Sequence, residues 1–227
     1  AYVAGHSLGE YSALCAARAL SLPDAARLLR RRGEAMQAAV APGEGAMAAL
    51  IGKVDVALAE AIAEEGARTA PVGVANDNNV GNVVISGTRA GVDAAIEAAK
   101  TRGVRAVPLS VSAPFHSRLM APAAEAMREA LESVDLREPV VPLVANVTAR
   151  PAPDAAAIRR LLVEQVTGRV RWRESVEWMA GEGQATLFVE TGAGRQLSGM
   201  VKRIVKEVET VALNAPADLE TFAKRLG

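Results

Sequence analysis

The chain has 227 residues, half of them hydrophobic, enough for one large domain or one domain carrying a smaller insert. Its 26 basic residues are matched by 26 acidic ones, so bulk charge gives no argument for nucleic acid or an anionic membrane as a partner. The single cysteine, Cys15, excludes an internal disulfide; with no visible signal peptide and no apolar run long enough to span a bilayer, a cytoplasmic protein is expected.

In chain order, Tyr2 to Ala4 reads as the end of a strand, and Glu10 to Ala19 is helical in character. Ser21-Leu22-Pro23-Asp24 is a helix start, with Ser21 as N-cap and Pro23 in the first turn, and predicts a helix to about Val40. Residues 44–109 have their own rhythm. Ala46–Ile51 predicts a strand, Val54–Gly66 a helix, Pro71–Ala75 a strand, and 76–82 a polar turn. Val83–Ser86 (strand), Arg89–Thr101 (helix) and Val104–Leu109 (strand) follow. The order βαββαβ is that of a ferredoxin-like subdomain inserted into a larger one formed by 1–43 and 110–227.

Beyond the insert, helices are predicted at Arg118–Ser133, Ala155–Val166, Arg173–Ala180, Arg195–Val205 and Ala217–Leu226. Strands are predicted at Val140–Asn146, Ala185–Glu190 and Thr210–Leu213. Strands alternating with helices predict an α/β fold with a mostly parallel, helix-covered sheet. Such a sheet wants strands beside the first one. The chain opens with Ala1 only a few residues before its first motif, so a missing N-terminal part is expected.

That motif is Gly5-His6-Ser7-Leu8-Gly9, a G-x-S-x-G between a strand and a helix. In a nucleophile elbow the glycines flank the serine because the turn is tight, and its hydroxyl projects at the head of a helix. The helix N-terminus and the Leu8 N–H would then face negative charge formed there. The chain has two histidines. His6 is awkward as a base for its neighbour Ser7, because adjacent side chains diverge, and reads as a structural or wall residue. His116, in Ser112-Ala113-Pro114-Phe115-His116-Ser117, lies in a loop after a strand, where catalytic groups gather in α/β folds. Taken by itself, a lone histidine is more often incidental than catalytic.

Of Arg30-Arg31-Arg32, at most one can turn inward, since successive helical side chains point about 100° apart; the small Gly33 would permit close packing around an inward Arg32. Asn76 to Asn82 reads as turn chemistry, with Asn76 a candidate for the wall of a cleft. Asn146-Val147-Thr148 matches a glycosylation acceptor without any sign of secretion, and two histidines with one cysteine argue against a zinc cluster.

Together these segments resemble the malonyl-CoA:acyl-carrier-protein transacylases of fatty acid synthesis and the related acyltransferase domains of polyketide synthases. The resemblance is carried by Gly5 to Leu14, by Arg32-Gly33-Glu34-Ala35-Met36, by Val111 to Met120, and by Leu162-Val163-Glu164-Gln165 with Val170-Arg171-Trp172, in that order along the chain. It implies an α/β-hydrolase-like large domain with a ferredoxin-like insert. It also implies Ser7 as nucleophile, His116 as general base, the Leu8 N–H in the oxyanion hole, and Arg32 as the ligand of the malonyl carboxylate. The carbonyl beside Gln165 would orient His116, and His6, Phe115 and Asn76 are candidate wall residues. Phe115 beside His116 is similar to malonyl-selective members.

No cofactor is implied: malonyl-CoA is the substrate and the phosphopantetheine arm belongs to the partner, acyl carrier protein. A monomer is expected, with no nucleic acid and no membrane as partner. The family's upstream Gly-Gln-rich motif, source of a second oxyanion amide, has no counterpart in the sequence. Two rivals stay open. One is a serine hydrolase with a Ser–Asp/Glu–His triad, which predicts a carboxylate beside His116; Asp135 and Glu138 lie between His116 and the chain end but in no triad context. The other is a catalytically inactive module that docks the carrier, for which Arg195, Lys202, Arg203 and Lys206 are candidate contacts.

Overall fold

The structure, a computed structural model, describes residues 1–226. By compactness the chain divides between Ser175 and Val176, inside the helix Trp172–Ala180. Among the described residues no helix is long and apolar enough to cross a membrane.

In the first unit, α1 (Gly9–Ala16) and α2 (Leu22–Ala38) precede the sheet strand β1 (Gly45–Ile51). The predicted cap of α2 is present: Ser21 is extended at φ −70° and ψ 148°, and its side chain accepts the Asp24 N–H. The helix α3 (Val56–Ala67), strands β2 (Val72–Asn79) and β3 (Asn82–Thr88), helix α4 (Arg89–Thr101) and strand β4 (Arg105–Pro108) complete the predicted βαββαβ order. Their sheet is antiparallel in the order β2-β3-β1-β4. β1 is apolar without interruption because both faces are covered. Ala48 and Leu50 join Ile62, Ile85, Val92 and Ala95 under the helices, while Met47 and Ala49 turn to the other face with Ala75, Val84 and Phe115.

Phe115 also packs on the large helical core, where Tyr11, Leu14, Leu28, Met36, Met127, Leu143 and Leu162 meet. One side chain therefore serves two apolar layers, which is why the compact unit takes in the small sheet together with the helices around it. Those helices include α5 (Ala121–Glu132, after a 3-10 turn at Arg118–Met120) and α6 (Ala155–Thr167).

Three expectations change. Residues 76–79 are not a turn: β2 runs through them, and Asn76, Asp77, Asn78 and Asn79 are all buried. Asp77 and Asn78 find partners on other segments, while Asn79 Nδ2 is buried without one. The Asp77 N–H donates to Val170 O, and the Asp77 carboxylate accepts from Arg173 at 3.0 Å; the reversal itself takes only Val80 and Gly81. Second, the strand predicted over Val140–Asn146 shrinks to β5 (Val144–Ala145), paired antiparallel with β6 (Arg150–Pro151). Pro142 has no N–H to give, and its carbonyl accepts from Val3. Third, Gly33 packs against nothing, since a Cβ added there meets no atom within 4 Å.

Of the mostly parallel sheet, the first unit holds two isolated parallel bridges, Val3 to Leu143 and Asn76 to Val170. In the second unit α7 (Trp172–Ala180) ends, and β7 (Leu187–Thr191) and β8 (Glu209–Leu213) pair in parallel around α8 (Gln196–Ile204), with α9 (Pro216–Leu226) last. Of the four basic residues named above, Lys202 and Arg203 lie within α8, Arg195 is its N-cap residue and Lys206 follows it.

Candidate active site

The site begins with one strained backbone position. Ser7 has φ 52°, the left-handed region that side chains disfavour, and this throws its hydroxyl out of the turn. The turn closes tightly on one side only. A Cβ on Gly5 would lie 2.0 Å from the Gly9 backbone, whereas a Cβ on Gly9 would meet nothing within 4 Å. Only Gly5 is demanded by close approach. The Gly9, Glu10 and Tyr11 amides donate to His6, Ser7 and Leu8 carbonyls, and the Leu8 N–H at the head of α1 stands outside that ladder.

Asn146, just beyond β5, clamps the elbow from both ends. Its Oδ1 accepts the Ser7 N–H at 2.7 Å and its Nδ2 donates to Gly5 O at 2.7 Å. The sequence reading passed over Asn146 as an empty glycosylation motif. Its signal was position: a polar residue at the C-terminal end of an apolar strand in an α/β chain.

His116 is also left-handed, at φ 55°, and buried. Its Nδ1–H donates to the Gln165 carbonyl at 2.9 Å, with Gly168 O at 3.2 Å. Carbonyls only accept, so Nε2 carries the free lone pair, and Ser7 Oγ donates to it at 2.7 Å. Burial, then the charge of Arg32, lowers the His116 pKa to about 3, so the resting imidazole is neutral and its Nε2 lone pair faces Ser7 Oγ. No carboxylate orients it. Asp135 is exposed and paired with Arg137, while Glu138 accepts the Ala155 N–H.

Of the three consecutive arginines, Arg32 alone is buried. Its Nη2 lies 3.0 Å from Ser7 Oγ and 2.9 Å from Gln165 Oε1, and its buried Nε has no partner. Gln165 is fully buried, and its Nε2 donates to Ser7 O at 3.0 Å and to Glu10 at 2.6 Å. Glu10, to which the sequence assigned no role of its own, is 1% exposed. Burial raises its pKa to about 7, against the opposing pull of Gln165, the Asn146 N–H and Arg32.

The candidate wall residues divide. His6 donates from Nε2 to Asn78 Oδ1 at 2.8 Å and lies 5.7 Å from the Trp172 ring; burial lowers its pKa. The contact from β2 to the elbow is therefore made by Asn78, while Asn76 bridges Val170 through its backbone. Phe115 is a packing residue between two cores. A cavity of about 130 Å³ opens beside His116, with Val74, Ser86, Ser117, Arg118 and Thr167 among its lining residues.

A serine on a strained elbow, hydrogen-bonded to a neutral histidine and flanked by a buried guanidinium, is a nucleophilic acyl-transfer constellation. The chain belongs to the acyl transferase domain family, whose profile matches residues 1–219. Within it, the chain is 47% identical to the malonyl CoA-acyl carrier protein transacylase of Bacillus subtilis (strain 168), over 99% of this chain and 71% of that protein. Its fold matches the crystal structure of acyl-carrier-protein-S-malonyltransferase from Bartonella henselae with TM-score 0.95 and 52% identity, covering 100% of this chain and 72% of that one. A malonyl-transacylase in complex with a type II polyketide synthase acyl-carrier protein matches with TM-score 0.93 and 41% identity, over 98% and 72% of the two chains.

Proposed function

We propose that this chain transfers a malonyl group from malonyl-CoA to the phosphopantetheine thiol of an acyl carrier protein, through an ester on Ser7, as a step of fatty acid biosynthesis in the cytoplasm. The observation that carries the reading is the buried Arg32 guanidinium, 3.0 Å from the same hydroxyl that His116 holds at 2.7 Å. A generic esterase has no use for a buried cation there. An acyl group ending in a carboxylate does, since the planar guanidinium pairs with a carboxylate, and its buried Nε has no partner within the protein.

In the first half-reaction Ser7 Oγ attacks the thioester carbonyl as its proton passes to His116 Nε2. The oxyanion gathers at the Leu8 N–H and the positive end of α1. His116 then returns the proton to the departing coenzyme A sulfur, leaving malonyl-Ser7. The carrier's thiol repeats the steps in reverse, giving its proton to His116 as it attacks the ester. The Gln165 and Gly168 carbonyls keep the imidazole in the tautomer that accepts from serine. The names of the relatives and the carrier-bound homologue support the acyl group and the partner; no cofactor enters these steps.

The test is intact-protein mass spectrometry after mixing with malonyl-CoA. A malonyl adduct on Ser7 that passes to holo carrier protein is expected; an adduct on another residue, or release of malonate without any carrier, would overturn the reading. Arg32→Ala is expected to slow malonyl transfer about a hundredfold and acetyl transfer only a few-fold, the loss of a charge-assisted pair. Equal losses would remove the carboxylate role.

A further inference from the structure

The guanidinium of Arg32 is held by two contacts, and one of them is the nucleophile itself. The other is the side-chain oxygen of Gln165, so what fixes that amide fixes the cation. A primary amide can be turned over, exchanging its oxygen for its NH₂, unless its surroundings forbid it. Here Nε2 faces two acceptors, the Ser7 carbonyl at 3.0 Å and the Glu10 carboxylate at 2.6 Å, while Oε1 faces the Arg32 donor at 2.9 Å. Turning the amide over would set N–H against N–H and oxygen against two oxygens. Glu10 contributes the shortest of the three contacts and the only ionisable acceptor.

We propose that Glu10 is a positioning residue for acyl-group selection: it anchors the Gln165 amide, and that amide holds Arg32 beside Ser7 to receive the acyl carboxylate. This rests on the malonyl-transfer reading above. The arrangement has a physical logic that a direct ion pair lacks. Glu10 and Arg32 share no salt bridge among the described residues, because the amide stands between them. The acid offsets part of the cost of burying the cation without pairing with it directly. Glu10 is on the helix that begins at the elbow, Arg32 is on α2 and Gln165 on α6, so the chain of contacts also ties three helices together at the nucleophile. His116 is oriented by the backbone carbonyl of Gln165 and not by its side chain, so the proton-transfer step is separate from this device.

The experiment follows Ser7 acylation by malonyl-CoA and by acetyl-CoA at pH 8 in wild type, E10M, E10Q, Q165A and E10M/Q165A. E10M and Q165A are each expected to lower kcat/KM for malonyl-CoA about tenfold or more, chiefly through KM. In E10M acetyl transfer is expected to fall much less than malonyl transfer, the pattern of a lost ground-state contact to the carboxylate. E10Q, whose amide oxygen can still accept from Gln165, is expected to keep the malonyl preference within about threefold. Because Glu10 acts through Gln165, adding E10M to Q165A should cost less than about twofold more. The proposal is overturned if the two losses multiply, if E10M reduces malonyl and acetyl transfer alike, or if Q165A keeps the wild-type preference. That last measurement stands whether or not E10M folds. Failure of wild type to form any malonyl-Ser7 would sink the function above instead, so the two failures are distinguishable.

Discussion

Two regions of the first unit solve opposite problems with the same chain. Under α3 and α4 the small sheet buries Ala48, Leu50, Ile62, Ile85 and Val92 in a core without a charge. A short distance along the sequence from β1, α2 carries Arg32 into a cluster with Glu10, His116 and Gln165, all buried, beside two residues in the left-handed region. In the first region the packing under those two helices follows the local rules of propensity and patterning. The second breaks several and is held by cross-chain hydrogen bonds from Asn146, Gln165 and Gly168. Local rules are broken where chemistry needs a poised hydroxyl and a buried cation, and the cost is carried by the well-packed remainder.

The widest contrast comes from removing one group on each side. Ser7→Ala or His116→Ala is expected to slow acylation by about a thousandfold or more while moving the melting temperature little. Ile85→Ala, fully buried under the helices, should do the reverse: about 2–5 kcal/mol of stability lost, with acylation per folded molecule unchanged. Comparable effects of both kinds of variant on both measurements would erase the distinction.

A smaller effect separates the regions by pH. The Glu10 carboxyl, pushed up to about 7 by burial, faces Arg32 from α2, Gln165 from α6, the Asn146 N–H and its neighbour Tyr11. A raised pKa means that its contribution to stability is full below about pH 4.5 and is lost as pH rises through about 7. Across that window the loss is up to about 3 kcal/mol. Glu10→Gln cannot titrate, so chemical denaturation should show its stability rising relative to wild type between pH 4.5 and 8. A pH-independent difference would mean that Glu10 is not buried as described. The Ile85→Ala deficit, by contrast, should not vary with pH.

The smallest effect lies within the elbow. Gly9→Ala enters open space in a helical turn and is expected to add about 0.4–1 kcal/mol by thermal melting, with acylation retained. Gly5→Ala should prevent the turn from closing, since its Cβ would overlap the Gly9 backbone. If Gly9→Ala destabilised as severely as Gly5→Ala, the one-sided packing of the turn would be wrong.

The βαββαβ order, the Ser21 cap and the elbow were legible in the sequence because each depends on neighbours within a few residues: period-two and helical patterning, an S-x-x-D start, and glycines around a serine. Resemblance to a family brought Ser7, Arg32, His116 and Gln165 into one expectation. Composition misled at 76–79, where asparagines and an aspartate look like a turn but form a buried strand whose partners, Arg173, Val170 and His6, all lie far along the chain, Arg173 96 residues on and His6 72 residues back. Glu10 and Asn146 were missed for the same reason. A buried polar group is stable only through its hydrogen-bond partners, and those partners come from distant segments. The sequence by itself determined which residue types were available and which local turns and helices would carry them. Tertiary structure alone decided which acid stays buried, which strand residue meets His6, and which amide clamps the elbow, because each of these is settled by desolvation and by contacts between segments that no local pattern records.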